Sequence, residues 1–501
     1  MVLMKYDDQN LKLEKIISGL NPSKASQISA FFDELDSHID LPLVYRNILF
    51  DHYFAVYEYY LDKKMSIKKI NELLDPEYIK DFYMPKERKF FHLDNAAIIY
   101  PLGMRYGQMP MYRISVTLKE DIIPCLLQLA ADMTIKRFPT LSAIVKRGFF
   151  WHYLETTNNI PIVEEEKDIP CKPISIVLRS YRSFRILYYK KRISIEVFHA
   201  LTDGAGAIVF LKTLLNQYLR LKGVDVSYND EILDINEKVK DEELVNEFVN
   251  AKGDSDFNKF MDKKSVQLDG KISNILPSRI LHFEMNSNKL KDVAKKYGGT
   301  VTAYILAIEF LAAKKASSDN GLFNIQVPVN MRKYNKSKTL RNYSMYFNVS
   351  EELKDLVDIE TTIKDINIQL KEKGSEKMMN QMMMTTNTLI NSLSYIPLII
   401  KIPLIQSVYT FFSQKIIGSA LTNLGLIKLP DNIASYVDKF SVIIVPGRPT
   451  RVCTSLATYN DKCVLTIAKA NKESTFEEEM YRLFKKDGLT VNVEGSIEYE
   501  S

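Results

Sequence analysis

The pattern of apolar and polar positions changes character three times along this 501-residue chain. Up to about residue 88, apolar residues recur at helical spacing, as in "ASQISAFFDELDSHI", which predicts a helical appendage with no chemistry of its own. Strand-like and helical stretches then mix up to residue 221. Residues 222–275 are dense in charge and poor in aromatic residues, which predicts a crossover linker. We therefore predict a helical appendage (1–88), a first unit (89–221), this linker and a second unit (276–501).

Separate stretches predict the elements of both units. "MYRISVTL" alternates like a strand, "PCLLQLAADMTIKRF" is helical, and "RILYYKKRISIEVFHA" predicts two strands joined through Lys190 and Lys191. The second unit begins with a strand in "SRILHFEMN" and continues with a helix in "TVTAYILAIEFLAAKKA" and a strand in "FNIQVPVNMR". We expect "SVIIVPG", "RVCTSLATYN" and "DKCVLTIAKA" to form a meander, and Thr475 with Glu478 to form a capping box on the last helix.

The order of these elements sets the fold class. Strand pairs and helices mix, and a regular alternation of single strands with single helices is missing. We therefore predict an α/β fold of the mixed α+β kind, with two lobes that each contain a mixed sheet, plus the helical appendage at the N-terminus.

Composition narrows the classes of function. Lys and Arg total 67 against 62 Asp and Glu, a net charge of +5 that does not suggest a nucleic-acid binder. Four scattered cysteines (Cys125, Cys171, Cys453 and Cys463) fit neither a disulfide framework nor a metal site, so we expect buried thiols and no metal. The N-terminus "MVLMKYDDQNLKLEK" carries acidic residues where a signal peptide has its apolar core, which predicts a cytoplasmic location.

One apolar stretch raises the question of a membrane. Residues 389–412 read "LINSLSYIPLIIKIPLIQSVYTFF" and are interrupted by Pro397, Lys401 and Pro403. A spanning helix needs about 18 or more uninterrupted apolar residues, so we predict no transmembrane segment. A helix pair that is buried or that seeks an interface is favoured instead, which keeps peripheral membrane contact open.

The stretch "EVFHALTDGAGAIVFLKTLL" contains the most suggestive chemistry. Ile195, Val197 and His199 fall on one face of a strand, and the chain turns at Asp203 and Gly204 before a helix begins. A histidine at such a corner can serve as a general base, because desolvation keeps its imidazole neutral. The alternative is a buried histidine satisfied by a backbone group, with Asp-Gly acting only as turn residues.

Five segments in the same order carry a resemblance: "FFHLDNAAIIYP", "RFPTLSAIVKRGFFWHYLE", "HALTDG", "VPVNMRKYNKSKTLRNYS" and "LTNLGLIKLP". From about residue 88 onward the chain resembles the acyl-CoA-dependent acyltransferases of the chloramphenicol acetyltransferase-like superfamily. It is most similar to bacterial alcohol acetyltransferases, with the condensation domains of peptide synthetases as more distant relatives. The resemblance implies two lobes around a central tunnel, in which His199 takes a proton from the acceptor.

The resemblance also implies roles for the neighbours of His199. The motif aspartate, Asp203, would point away from the tunnel and pair with an arginine, for which Arg332 is the candidate. Gly204 either supplies an unusual backbone angle or leaves room for the pantetheine arm of coenzyme A. Thr422 or Asn423 would donate to the developing oxyanion; alternatively, "NLG" is only a turn.

The resemblance has departures that affect the choice of donor. Phe198 occupies the position where condensation domains carry a first histidine, and the D-F-G-W-G segment of plant acyltransferases is missing. No carrier-protein domain is fused to the sequence, so we expect free acyl-CoA, plausibly acetyl-CoA, as a co-substrate, with no bound cofactor. The methionine cluster "KMMNQMMMTTN" is core filler or the wall of a site for a lipid-like acceptor.

These observations lead to one expected function and two alternatives. We expect transfer of an acyl group from coenzyme A to a small or lipid-like alcohol, with an amine as the less favoured acceptor. The first alternative is condensation on a carrier-bound substrate, which a neighbouring gene for a carrier protein would favour. The second is a catalytically silent binding protein of the same fold, against which the intact motif residues count.

Overall fold

The computed structural model describes residues 2–79, 89–104, 110–157, 161–172, 183–257, 263–412, 416–447, 450–496 and 499. The predicted appendage therefore falls partly outside the described residues, from 80 to 88. In the described part it forms four helices: α1 (Val2–Ile17), α2 (Pro22–Ser37), α3 (Leu43–Asp62) and α4 (Ile67–Leu74).

Aromatic side chains tie the appendage to the rest of the fold. Phe32 on α2 packs against Phe54 and Tyr57 on α3, with ring centroids 4.4 and 5.5 Å apart. Tyr60 on α3 is buried, and its hydroxyl donates a hydrogen bond to the carbonyl of Leu221. The appendage thus shares one continuous apolar core with the elements that follow it.

The first lobe contains ten elements in the described part of the chain: β1 (Phe90–His92), α5 (Ile99–Gly103), β2 (Met111–Leu118), α6 (Pro124–Ile135), β3 (Ala143–Arg147), β4 (His152–Thr156), β5 (Val163–Glu165), β6 (Phe184–Tyr189), β7 (Arg192–Phe198) and α7 (Gly204–Leu221). Between α7 and the next strand the described residues form only short 3₁₀ turns, Asp241–Glu243 and Glu247–Asn250, and two isolated bridges.

The remaining elements follow that linker: β8 (Arg279–Asn286), α8 (Ser287–Lys296), α9 (Val301–Ala316), β9 (Leu322–Asn330), α10 (Arg332–Asn335), β10 (Ser344–Glu352), α11 (Ile359–Lys373), α12 (Glu376–Ser392), α13 (Leu398–Phe412), β11 (Ser419–Ile427), α14 (Asp431–Ala434), β12 (Val437–Ile444), β13 (Val452–Tyr459), β14 (Lys462–Lys469), α15 (Thr475–Lys486) and β15 (Asn492–Gly495).

The described strands assemble into three sheets. One has the order β12-β2-β7-β6-β5, the second β10-β9-β11-β13-β14-β8-β15, and a small one β1-β4-β3. Strand β5 is parallel to β6, and β11 is parallel to both β9 and β13, while the other pairs are antiparallel. The mixed α/β class with mixed sheets is confirmed.

Strand β12 corrects the predicted meander. Only β13 and β14 form an adjacent antiparallel hairpin. Strand β12 instead pairs with β2 at the edge of the first sheet, where Val442 lies opposite Ile114. Alternation along a strand identifies its buried face but not its partner, which is why the sequence placed β12 in the wrong sheet. One strand of the second unit therefore completes the sheet of the first, and the two lobes interlock.

The N-termini of two helices, α9 and α15, differ in how they are capped. Thr300 caps α9, since its side-chain oxygen accepts a hydrogen bond from the amide of Ala303 at 3.2 Å. At α15 the predicted capping box of Thr475 and Glu478 is wrong. The cap residue is Ser474, and no side-chain capping bond is made there. Ser and Thr are adjacent at this position, and both fit the capping pattern equally well.

The stretch from 389 to 412 is divided between two helices, α12 and α13, with Pro403 inside the second. In the described residues, no helix combines the length and apolar character needed to cross a bilayer.

Candidate active site

A cavity of about 2260 Å³ lies between the two lobes. Its walls include β2 and α7 from the first lobe and β9 and β11 from the second. All the site residues selected from the sequence line it: His199, Asp203, Gly204, Arg332, Thr422 and Asn423.

The backbone around His199 is fixed by regular structure on both sides. His199 directly follows β7, and its amide donates to the carbonyl of Pro110 at 3.0 Å. Four residues later Asp203 is the N-cap of α7, where its Oδ1 accepts from the amides of Ala205 and Gly206, both at 3.1 Å. An aspartate is a strong N-cap because it satisfies amides that have no partner within the helix. The corner therefore holds the imidazole on a rigid support.

Two tyrosine rings enclose the imidazole. The ring of Tyr100 stacks on it with centroids 4.5 Å apart, and the ring of Tyr112 lies at 4.9 Å in a tilted orientation. Burial lowers the pKa of His199, and the nearby Asp203 carboxylate and the contact with Asn342 offset only part of this. The imidazole is therefore neutral near pH 7 and able to accept a proton.

Asn342 determines which imidazole nitrogen accepts that proton. The Nδ2 of Asn342 donates to the carbonyl of His199 at 2.7 Å, which orients the amide. Its Oδ1 then lies 3.2 Å from the Nδ1 of His199. Because an amide oxygen only accepts, Nδ1 carries the hydrogen and Nε2 keeps its lone pair. Asn342 was not predicted from the sequence, where its only signal is its place in the segment "TLRNYS".

Asp203 pairs with Arg332, as expected from the resemblance. Its Oδ2 accepts from the Nη1 of Arg332 at 2.7 Å and from the amide of Tyr343 at 2.8 Å. Burial alone would raise the pKa of Asp203, but the guanidinium and these amide donors lower it overall. With both carboxylate oxygens occupied by donors of the scaffold, Asp203 has a structural role in this geometry.

A second ion pair was not found from the sequence, although Asp94 lies in the quoted segment "FFHLDN". Oδ1 of Asp94 is 3.0 Å from Nε of Arg341, and its Oδ2 accepts from the amide of Asn342 at 3.2 Å. Burial raises the pKa of Asp94 to about 7, against the opposing effect of Arg341. This pair fixes the backbone of Asn342 and so, indirectly, the orientation of His199.

Gly204, at the end of the motif, and Gly206, two residues later, differ in what surrounds them. Gly204 has a helical backbone as the first residue of α7, so the unusual angle considered from the sequence is not found. A Cβ there would lie 3.0 Å from the flexible Cδ2 of Leu424. At Gly206 a Cβ would collide with the backbone carbonyl of Leu340 and with the hydroxyl of Thr202. Gly206 is therefore required for the close approach of the 340 segment.

This difference gives a stability test. Gly206→Ala is expected to destabilise the protein by about 1–3 kcal/mol, because a backbone carbonyl must move to admit the methyl group. Gly204→Ala is the matched control, since only a side-chain tip must give way there. Thermal unfolding of both variants checks the prediction, and equal melting temperatures would contradict the close packing at Gly206.

The two oxyanion candidates are placed differently. Nδ2 of Asn423 donates to the hydroxyl of Thr302 at 3.0 Å, and its Oδ1 accepts from the amide of Gly425 at 2.7 Å. Gly425 has a φ of 72°, and the register of β11 against β13 shifts between Asn423 and Leu426, so "NLG" forms a bulge within the strand and not a separate turn. Thr422 also lines the cavity, whereas both ends of the Asn423 amide are already hydrogen-bonded within the fold.

The methionine cluster contributes side chains both to the core of the second lobe and to the cavity lining. Met379 and Met383 are fully buried in the core of the second lobe, whereas Met382 lines the cavity.

The one group of three metal-ligating side chains among the described residues is Glu34, His38 and Glu77, in the N-terminal appendage. Both of its carboxylates are exposed, and none of the three lines the cavity.

The walls of the cavity differ in chemistry. One set of lining residues is charged, with both signs, and comes from the linker and from the segment after β9: Asp230, Glu231, Asp234, Glu237, Lys240, Glu242, Glu243, Lys264, Arg332, Lys333, Lys336 and Lys338. Another set is apolar and comes from α5, α12 and α13: Ile99, Leu102, Leu389, Leu393, Leu404 and Ile405. The cavity can thus accommodate a polar group along one wall and an apolar one along another.

Solved structures of similar fold support the architecture. TRI101 of F. sporotrichioides, complexed with coenzyme A and T-2, matches with a TM-score of 0.54 and 11% identity over 81% of this chain and 99% of that chain. The trichothecene 15-O-acetyltransferase TRI3 of Fusarium sporotrichioides matches with a TM-score of 0.52 and 11% identity over 80% and 94%. The first condensation domain of the calcium-dependent antibiotic synthetase matches with a TM-score of 0.56 and 10% identity over 80% and 95%.

Comparisons at the level of sequence give nothing further: no family model and no curated protein matches this chain. The structural matches establish a shared fold, and identities near 10% leave the reaction open. These structures share the fold of this chain, which confirms the fold that the resemblance implied.

Proposed function

We propose that this chain, which has the fold shared by those acetyltransferases and condensation domains, transfers an acyl group from acyl-CoA to an alcohol with His199 as general base. The observation that carries the proposal is the buried, neutral imidazole whose Nδ1 is held by Asn342. Its Nε2 lone pair is thereby left to accept a proton inside an interlobe cavity.

The proposed reaction proceeds by direct attack. The acceptor oxygen forms a bond with the thioester carbonyl carbon while Nε2 of His199 takes the hydroxyl proton. The tetrahedral intermediate then collapses, the carbon–sulfur bond breaks, and the imidazolium returns the proton to the departing thiolate. No covalent bond to the enzyme is needed. The hydroxyl of Thr422 is the proposed donor to the oxyanion, whose charge develops only along this path.

The charged wall of the cavity supports coenzyme A as the donor. Lys240 and Lys338 lie 3.5 Å from Glu237 and Glu242, in pairs whose side chains are more than half exposed. Exposed pairs of this kind contribute little to stability, so a phosphate can displace the carboxylate without much cost. Lys333 and Lys336 add charge beside them. Acetyl-CoA is the proposed acyl donor.

The proposal includes three further expectations from the sequence. They are a cytoplasmic location, the four-part division of the chain, and an alcohol in preference to an amine as acceptor. The likeness to a condensation domain keeps a carrier-bound thioester as the alternative donor.

Release of coenzyme A tests the proposal. The purified protein is incubated with acetyl-CoA and longer acyl-CoAs and with a panel of primary alcohols and matched amines, and free thiol and product mass are followed. We expect release that depends on the alcohol and yields its ester. Release with amines alone would overturn the choice of acceptor. Turnover only with an acyl-carrier thioester would favour condensation, and no turnover with either donor would favour a binding protein.

A further inference from the structure

An exposed apolar surface surrounds one opening of the cavity. Ile99 on α5, Leu389 on α12 and Leu404 on α13 are each about half exposed, and all three also line the cavity. We call these three residues the apolar rim. A side chain that is both exposed and cavity-lining lies where the cavity meets the surface, so the apolar wall reaches solvent at this rim.

The surface continues outward from the rim. Tyr395 is 89% exposed, Ile399 73% and Phe149 72%, and Ile400 is also exposed. We call these four residues the outer patch. Two contacts connect the outer patch internally and to the rim. The amide of Leu398 at the start of α13 donates to the carbonyl of Phe149 at 2.8 Å, and α13 packs against α5, which carries Ile99 of the rim. Soluble proteins rarely leave so many large apolar side chains grouped in solvent without a use for them.

The part of this surface that α12 and α13 contribute carries no exposed formal charge. Between residues 378 and 407 the sequence contains a single ionisable side chain of Lys, Arg, Asp or Glu, that of Lys401. Lys401 is buried, its ammonium donates to the carbonyl of Phe150 at 2.8 Å, and it lies 3.0 Å from the centroid of the Trp151 ring. The one charge of this segment is thus turned inward and used to fasten α13 to the 149–151 loop.

We propose that the apolar rim and the outer patch dock on the surface of a lipid bilayer, and that the acceptor is a membrane-resident alcohol with an apolar chain, which enters the cavity through the rim. The identity of the acceptor rests on the proposed function; the docking does not. An acidic carrier protein would need exposed cations for complementarity, and the segment offers none. A bilayer needs only apolar and aromatic side chains at its boundary, with a polar tip such as the hydroxyl of Tyr395 at the headgroups.

Vesicle sedimentation tests the docking. The full chain is mixed with vesicles of pure phosphatidylcholine, and the bound fraction is measured at low and high salt. We expect binding that persists at high salt, because no charge pairing drives it. The double variant Ile399→Glu with Ile400→Glu is expected to weaken binding by about 10-fold or more, since glutamate cannot enter the apolar layer. Val357→Glu, at a site that is 79% exposed and belongs to neither surface, is the matched control.

Other outcomes would overturn the docking. Native protein that stays in the supernatant, or binding that needs anionic lipid and vanishes at high salt, contradicts it. A dimer in solution that the double variant converts to monomer would assign the surface to a second copy instead.

Activity separates the two proposals. The double variant should convert a short, water-soluble alcohol at the native rate and a long-chain alcohol held in vesicles about 10-fold more slowly, because only the second reaches the cavity through the bilayer. If the double variant converts both the short and the long-chain alcohol at the native rate, entry through the rim is contradicted. If vesicle binding is found and no acyl transfer occurs with any alcohol, the proposed function fails and the docking stands.

Discussion

Replacement of His199 by alanine is expected to lower kcat/KM for acceptor-dependent coenzyme A release by about 10²- to 10⁴-fold, the usual contribution of a general base. The loss should be large because the imidazole is the proposed proton acceptor, and because its position and tautomer are set by Asn342 and by the backbone bond to Pro110. Steady-state kinetics with the best alcohol from the panel, for native and variant protein, measure it.

A second histidine gives the control. His92 is exposed on β1 and contributes only its backbone carbonyl to the ion-pair region, where it accepts from Arg341. His92→Ala keeps that carbonyl and should retain native activity. If His199→Ala turns over as fast as the native protein, or if both variants lose activity equally, His199 is not the base.

The pH profile adds an independent readout. Because burial lowers the pKa of His199 from its ordinary value of 6.5, the base form persists into mildly acid solution. The acid limb of kcat/KM should therefore have its midpoint below pH 6.5, and this limb should be absent from the residual activity of His199→Ala. A midpoint above 6.5 would contradict a desolvated imidazole.

The sequence predicted local elements better than their assembly. The strand β7, the corner at His199 and the helix α7 follow from periodicity and from the capping residue Asp203, all of which are local. The partner of β12 depends on pairing between strands more than 300 residues apart in the chain, and alternation does not encode it. The sheet in which a strand lies had to come from the structure.

The same distinction applies to the site. Asp203 and Arg332 could be paired from the sequence because a family resemblance linked them. Asn342 and Asp94 have no such motif, and their importance comes from geometry alone: an amide with two contacts to His199, and a carboxylate that meets the backbone of that same asparagine. Polar side chains in loops look alike in a sequence until folding shows which of them point inward.

Both buried ion pairs connect segments of different lobes, which bears on how the cavity keeps its shape. Asp203 and Asp94 belong to the first lobe, and Arg332 and Arg341 to the loop after β9 in the second. The guanidinium of Arg332 also donates to the carbonyls of Thr339 at 2.9 Å and Arg341 at 2.6 Å. Arg332 therefore holds the loop that carries Asn342 as well as the aspartate.

Arg332→Met is accordingly expected to destabilise the protein by about 3–5 kcal/mol, the usual cost of leaving one partner of a buried ion pair without the other. The side chains of Asp203 and Arg332 are 5% and 14% exposed, so solvent offers the stranded carboxylate little compensation. The midpoint of chemical unfolding measures the effect. The difference in free energy of unfolding between Arg332→Met and the native protein should shrink as the pH falls through the pKa of Asp203. The pKa of Asp203 is lowered in the folded state, so this carboxyl group stabilises the fold only while it is ionised.

A surface pair of the same length is the matched control. Nζ of Lys462 lies 2.7 Å from Asp438, but both side chains are about one-third exposed, so Lys462→Met should cost no more than about 1 kcal/mol. The double variant Asp203→Asn with Arg332→Met removes both charges. Its loss of unfolding free energy should be smaller than the sum of the losses in the two single variants. If Arg332→Met is no more destabilising than Lys462→Met, the ion pair does not hold the lobes together. The positioning of His199 would then depend on the hydrogen bonds of Asn342 and on the backbone bond to Pro110.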